Sequence, residues 1–381
     1  MFDSIIVGSG CAGAVIANRL AAAGKKVLVL EKRSHIGGNC YDEYDENGIL
    51  IHTYGPHIFH TNNGQVYEYL SQYTKWFDYS HEVLANVYGT LIPVPFNLNT
   101  LYMVYEKEKA DRLKDKLIST YKEGSKVPIL ELMNSDDEEI KDIADYVYNN
   151  IFLKYTMKQW GQKPEEIDSS VTARVPVSIS YDNRYFTDKY QGMPLDGYTK
   201  MFENILADNN ITVKLNTDAK EHILFEGGKV YYNGTEFTGD VIFTGQADEL
   251  FDYCYGRLPY RTLDFVFENY KTEHFQPKGV VNYTVSEDYT RITEFKYLTN
   301  QKDDSQTTIV KEYSKAYTGS DDEIPYYAII NEENLALYNR YADLAAKYPK
   351  LKLVGRLAEY KYYNIDAIVA KALQVAEEIL A

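Results

Sequence analysis

Residues 4–32 read SIIVGSGCAGAVIANRLAAAGKKVLVLEK, and their reading decides the fold. Ile5, Ile6 and Val7 form a short apolar run suited to a strand buried on both faces. Gly8, Gly10 and Gly13 follow in the pattern G-x-G-x-x-G. The first glycine permits a sharp turn, the second lets backbone approach a pyrophosphate, and the third lets helix and strand pack closely. Ala12 to Ala23 continues as an Ala-rich helix, whose free N-terminal amides and dipole favour a phosphate. Val27 to Leu30 is a second strand, ending in Glu31, a carboxylate placed to accept hydrogen bonds from a ribose. A glycine pattern alone is weak. Flanked by strand, helix and acid, it predicts a dinucleotide-binding unit.

The next residues separate NAD from FAD. His35-Ile36-Gly37-Gly38-Asn39 places a second glycine pair just past the acid, so that backbone can pass close to another part of a long cofactor. This resembles the flavoprotein pattern in which FAD lies extended along the first βαβ unit.

Bulk properties narrow the partners. The chain has 381 residues, enough for two or three domains with their own cores. Forty basic against 56 acidic residues give a net charge of −16, which argues against generic binding to nucleic acid or anionic membrane. An anionic substrate therefore needs a local basic pocket. Cys11, Cys40 and Cys254 form no C-x-x-C pair, which points to a reducing cytoplasm and to no metal site. No signal peptide or membrane-spanning run is read. Tyrosine is in excess, 37 against 15 Phe and 2 Trp, and suits a pocket that grips sugar and base.

Beyond the cofactor unit, in the stretch Ile51 to Thr61, His52 and His57 flank Gly55-Pro56, where two structural histidines in a turn are the simpler reading. Residues 83–98 alternate around a Tyr-Gly turn and predict a hairpin. From Leu101 to about Asp168 the pattern is helical, with Asn99-Thr100 as a candidate cap and Ile140, Ile143, Ala144, Val147 and Ile151 as one apolar stripe. The loop from Ser169 to Pro176 carries Arg174 and is expected to be mobile. Strands are read near 211–215, 222–225, 229–232 and 240–243, and an antiparallel sheet over 260–313. A strand at 352–356 and a helix at 366–380 return the chain to the nucleotide-binding domain.

These motifs coincide with one family. G-S-G-x-x-G with H-I-G-G-N, then Y-G-P-H-I-F-H-T, Y-T-x-K-Q-W-G, Y-Q-G-M-P, Y-R-T-L-D-F, Y-T-R-I-T-E, K-E-Y-S, P-Y-Y and G-R-L-A-E-Y-K-Y resemble the prokaryotic UDP-galactopyranose mutases, in order and over nearly the whole chain. The resemblance implies an α/β fold: a Rossmann-like FAD-binding domain (1–82, 196–248 and 345–381) with an inserted helical bundle (99–168) and an inserted antiparallel β-sheet domain (83–98, 169–195 and 249–344). It implies interconversion of UDP-galactopyranose and UDP-galactofuranose without net oxidation, with N5 of reduced FAD as nucleophile at the anomeric carbon. It also implies UDP-galactose as substrate, NAD(P)H or another reductant for activation, and a cytoplasmic homodimer.

The family's site residues carry over by position. Arg174 and Arg291 match the arginines that hold the diphosphate, since guanidinium binds phosphate bidentately and keeps its charge. Phe152, Tyr155, Thr156 and Trp160 match the uridine-binding helix end. Tyr185, Asn282, Tyr326, Tyr362 and Asn364 match positions around phosphates and sugar. His60 matches a histidine beside the flavin and is grouped with the two arginines as catalytic. The implied cofactor set is Gly8, Gly10, Cys11, Gly13, Glu31, Lys32, Gly38, Asn39, His57, Gly355, Arg356 and Asp366. Asn364 departs from the family, which usually has aspartate there. A flavin amine-oxidase-like oxidoreductase explains the first and last motifs but not the arginine loop or K-Q-W-G. A flavoprotein that binds nucleotide sugar without converting it is the non-enzymatic alternative.

Overall fold

The computed structural model describes residues 2–161, 176–320 and 322–381, so Arg174 and most of the Ser169–Pro176 loop lie outside the described residues. The chain forms two compact units. The first comprises residues 1–78, 188–261 and 319–381, and the second residues 79–187 and 262–318.

The first unit is built on five parallel strands: β1 (Ser4–Val7), β2 (Val27–Leu30), β3 (Ile211–Lys214), β4 (Asp240–Phe243) and β5 (Leu351–Leu353). Their order is β3-β2-β1-β4-β5. β1 and β2 are almost wholly buried, as continuous apolar runs require in a sheet covered on both faces. Helix α1 (Cys11–Ala22) packs against α2 (Ile365–Leu380), so the start and end of the chain share one layer. Small residues on α1, including Ala14 and Ala17, are fully buried there. The segments read as four sequential strands divide between two sheets. β3 and β4 join the parallel sheet, while Ile223–Glu226, Lys229–Tyr232 and Thr235–Phe237 form a separate antiparallel meander.

The second unit carries six neighbouring strands in the order Tyr260–Tyr270 (entering the unit at Thr262), Thr307–Ala316, Arg291–Glu294, Val280–Tyr283, Val83–Val87 and Thr90–Val94. The predicted hairpin turns at Tyr88 and Gly89, both at positive φ (51° and 90°), as a tight hairpin turn demands. Helices Leu98–Val104, Lys107–Tyr121, Glu138–Val147 and Leu153–Trp160 follow, with a π-helical turn at Tyr148–Phe152 before the last. Asn97, not Asn99 or Thr100, caps the first of them, and it forms a reciprocal capping box with Thr100.

Three expectations change. Helices and sheet of the second unit share one core, with Leu101, Leu113, Ile143 and Val147 packed among Val83, Ile92 and Val280, so they are not separate domains. Its sheet is not wholly antiparallel: Val280–Tyr283 runs parallel to Val83–Val87, because the long excursion between them supplies the crossover that parallel pairing needs. Residues 249–261 and 319–344, read as part of the sheet domain, belong to the first unit. There the buried Tyr341 hydroxyl donates to Gly256 O at 2.7 Å and accepts from Tyr255 N at 2.9 Å. Residues 188–195 join it too, through the strand Tyr190–Pro194 paired with Phe59–Thr61. Among the described residues no helix is long and apolar enough to cross a membrane.

His52 yields a stability prediction. It is 2% exposed, and its Nδ1 accepts from His57 N at 3.1 Å, which requires the neutral ring. Desolvation lowers its pKa from 6.5 to about 4. The unfolded chain therefore takes up a proton near pH 6.5, whereas the folded protein resists until near 4. Stability is intact above pH 6.5 and falls as pH drops towards 4, by up to about 3 kcal/mol from this group. Urea unfolding at pH 7 and 4.5 should show a smaller fall for His52→Gln than for the native protein; equal falls would rule this account out.

Candidate functional site

The candidate cofactor site begins where β1 ends. Gly8 has φ +97°, and a Cβ on Gly13 would overlap the Gly8 carbonyl oxygen, so both positions require glycine. The turn delivers α1 with Gly10 as an N-cap that has no side chain, leaving the first-turn amides free for an anion. Gly38, at φ +57°, lies against Gly10: a Cβ on Gly38 would stand 2.9 Å from Gly10 Cα. Gly37 N donates to Ser9 O at 3.1 Å. The two glycine motifs thus meet backbone to backbone.

Around this contact lies a cavity of about 280 Å³, beyond the C-terminal ends of β1 and β4, where strand order reverses. Of the predicted cofactor residues, Gly8, Gly10, Cys11, Glu31, Lys32, Gly38, Asn39, His57, Gly355 and Arg356 line it. Gly13 and Asp366 are not part of that lining. Gly13 sits against Gly8, and Asp366 accepts from Thr61 Oγ1 at 2.8 Å. Glu31 is 6% exposed. Its Oε2 accepts from Ser9 N (2.8 Å) and Ser9 Oγ (2.6 Å), and its Oε1 from Arg33 N (3.0 Å), which leaves Oε1 with room for one more donor. Lys32 lies 3.4 Å from both Asp218 and Glu249. Arg33 binds Asn39 Oδ1 at 2.9 Å and stacks over Tyr54, while its Nη1 is buried without a hydrogen-bond partner. A buried, unmatched guanidinium nitrogen, a carboxylate oxygen with room for a donor and free helix amides fit an extended dinucleotide.

At the cavity's other end, Gly355 (φ +122°) leads to Arg356, whose Nε donates to Tyr363 O at 2.6 Å and whose guanidinium faces the Tyr362 ring at 4.8 Å. Tyr362 also stacks with Tyr327. The Tyr326 hydroxyl donates to Tyr54 O. His60 does not line the cavity; its Nδ1 is 2.8 Å from Asp188 Oδ2. Asn364 occupies the N-cap position of α2, but its side chain makes no capping bond.

The remaining candidates lie in the second unit. Phe152, the last residue of the π-turn, is buried; on the helix that follows, Thr156 is buried and Tyr155 and Trp160 are half-buried. Such turns concentrate at functional sites. Asn282 and Arg291 are direct partners across neighbouring strands. Arg291 Nε lies 2.8 Å from Glu312 Oε1, and that carboxylate is fully buried. Burial pushes the Glu312 pKa up, and Arg291 opposes the shift. Tyr185 packs edge-on against Phe186 and His81.

Three positions escape the motif reading. Arg33 belongs to the cavity wall but falls between the acid and the glycine pair. Glu312 was visible only as the acid of K-E-Y-S. Lys158, inside K-Q-W-G, donates to three carbonyls, those of Tyr283, Glu287 (2.8 Å) and Tyr289 (3.1 Å). It bolts the helix of Tyr155 and Trp160 to the hairpin of Asn282 and Arg291. Desolvation lowers its pKa. A lysine amid aromatics beside a conspicuous tryptophan was the available signal.

Residues 6–73 match the family model described as an NAD(P)-binding Rossmann-like domain, and residues 150–362 match that of UDP-galactopyranose mutase. A Klebsiella pneumoniae protein named "Probable UDP-galactopyranose mutase" is 38% identical over 99% of this chain and 94% of its own. An Escherichia coli dTDP-fucopyranose mutase is 36% identical over 98% of this chain and 97% of its own. A crystal structure of reduced UDP-galactopyranose mutase superposes with a TM-score of 0.71 over 100% of this chain and 94% of that one; at 16% identity this likeness speaks for the fold alone. The relatedness spans both units, from the glycine turn to the closing helix, and the chain belongs to the UDP-galactopyranose mutase family of isomerases.

Proposed function

We propose that this protein interconverts UDP-galactopyranose and UDP-galactofuranose, using reduced FAD and with no net redox change. The observation that carries the reading is the backbone contact of Gly10 with Gly38, a cradle for a cofactor longer than one nucleotide, in a chain related end to end to sugar-ring mutases. Bound FAD would supply, in its reduced form, a nucleophilic ring nitrogen for the anomeric carbon. Glu31 then takes the ribose hydroxyl, the α1 amides the pyrophosphate, and Arg33 and Arg356 the remaining anionic and polar edges. His57 is part of that wall, and Asp366, which accepts from Thr61, steadies it from the first turn of α2.

The substrate residues follow by role. Phe152, Tyr155, Thr156 and Trp160 grip the uridine, while Arg174 and Arg291 hold the diphosphate as bound substrate and as departing UDP. Tyr185, Asn282, Tyr326, Tyr362 and Asn364 orient sugar and phosphates, and His60 is held by Asp188 beside the flavin. NAD(P)H or another two-electron donor activates the enzyme, which works as a homodimer. A second reading, dTDP-fucopyranose as substrate, is favoured by the Escherichia coli relative, whose coverage and identity nearly equal those of the Klebsiella protein.

The test incubates dithionite-reduced and air-oxidised protein with UDP-galactopyranose and with dTDP-fucopyranose, resolving products by chromatography and following oxygen. Reduced protein should convert the UDP sugar at least about tenfold faster than the dTDP sugar, a 1.4 kcal/mol preference in the transition state, without oxygen uptake. Faster conversion of the dTDP sugar would move the assignment to the second reading. Equal rates from both redox forms would sink the nucleophilic cofactor.

Arg291 has two jobs, and they can be separated. Arg291→Ala should lower catalytic efficiency by tens- to thousands-fold, the roughly 2–5 kcal/mol of a lost charged partner. It should also destabilise the fold by about 3–5 kcal/mol, because Glu312 is left buried and unpaired. Adding Glu312→Gln should restore most of the melting temperature and none of the turnover. Recovery of both together would show that Arg291 serves only the fold.

A further inference from the structure

Two thiols meet in the wall of the cofactor cavity. Cys11 Sγ and Cys40 Sγ lie 3.7 Å apart, and both residues line the cavity. Cys11 is the first residue of α1, directly after the bare Gly10 cap, at the end of the helix whose dipole favours a sulfur anion. Cys40 closes the short 3₁₀ turn Gly38–Cys40 and is 5% exposed. The hydrogen bond between them and the Arg356 guanidinium together outweigh burial and lower the Cys11 pKa. The same hydrogen bond, with burial, holds the Cys40 thiol well above its ordinary range. One sulfur is thus activated and the other kept protonated beside it, the division between an attacking and a resolving cysteine.

We propose that Cys11 and Cys40 are a redox-active dithiol that a small-molecule disulfide oxidises to an intramolecular disulfide. A disulfide bond of about 2.05 Å requires the sulfurs to close by about 1.6 Å. In the first step the Cys11 thiolate attacks one sulfur of the small disulfide, forming a mixed disulfide and expelling a thiolate. Cys40 then loses its proton to solvent and attacks Cys11 Sγ, breaking the mixed bond and expelling the second thiolate. The two protein thiols give up two electrons and two protons, and the small disulfide leaves as two thiols. The bond ties the first turn of α1 to the Gly38–Cys40 turn, across the Gly10–Gly38 contact. This inference needs only the cavity and stands whether or not the substrate assignment does.

The experiment equilibrates the purified full-length protein under nitrogen in buffers ranging from reduced to oxidised glutathione, with a parallel arm in diamide. Samples are blocked with N-ethylmaleimide, digested without reduction and read by mass spectrometry. The expected product is a linked pair of peptides carrying Cys11 and Cys40, which dithiothreitol returns to two free thiols and which Cys11→Ser or Cys40→Ser abolishes. In the reduced protein, iodoacetamide should label Cys11 about tenfold faster than Cys40. The idea is overturned if both thiols are recovered as maleimide adducts throughout, in glutathione and in diamide, while the exposed Cys254 reacts. It is equally overturned if Cys11 stops at a mixed disulfide that Cys40 never resolves.

Discussion

The first unit depends on the near absence of side chains at one point. Gly8, Gly10, Gly13 and Gly38 let three pieces of backbone meet: the end of β1, the start of α1 and the loop after β2. A methyl group on Gly13 would collide with the Gly8 carbonyl, and one on Gly38 would press on Gly10. Overpacking of this kind costs roughly 1–3 kcal/mol even where side chains can yield, and backbone yields less. The contact brings Ser9 to Glu31, and the loop past it brings Arg33 to Asn39. The Glu31 carboxylate, the first-turn amides of α1 and the unmatched guanidinium nitrogen of Arg33 all take their places from it.

The second unit solves a different problem, placing cations inside an acidic protein. Net charge of −16 repels a sugar diphosphate at long range. The cations at its candidate site are therefore fixed individually. Arg291 is held by the buried Glu312, and Lys158 by three carbonyls from residues 283–289. Fixing Arg291 in advance lowers the entropy lost on binding an anion, whereas Lys158, with its three N–H groups on carbonyls, holds the scaffold around it. Lys158 also ties the helix that follows the π-turn to residues 283–289.

What could be read from the sequence was what short-range physics determines. The βαβ start, the Tyr-Gly hairpin, the apolar stripe of the helix Glu138–Val147 and the closing helix all follow from periodicity and turn chemistry within a few residues. Ten of the twelve residues expected to hold a cofactor line the cavity, and its glycine turn was legible because glycine at such spacing has few other uses. The misses share a cause. The Cys11–Cys40 approach, the Arg291–Glu312 pair and the Lys158 carbonyls join residues from about 20 to 130 positions apart, where no local pattern signals the meeting. The single core of the second unit was hidden likewise, because periodicity shows which face is apolar and not what covers it. His60 and Asp366 were assigned by position, and their contacts with Asp188 and Thr61 came only from the fold.

The register of β1 has a consequence for how the chain is made. Ser4 pairs with Val27 on one side and with Asp240 on the other. The first neighbour emerges from the ribosome almost at once; the second is some 230 residues away. At about 5–20 residues per second, one edge of β1 waits on the order of 10–50 s for its partner. Through that interval Ile5 and Ile6, fully buried in the finished protein, lack half of their cover. Residues 79–187 are synthesised during the wait. The oldest strand of the sheet thus stays half-paired until Asp240–Phe243 emerges, and the nascent protein passes most of its synthesis with an open, apolar edge.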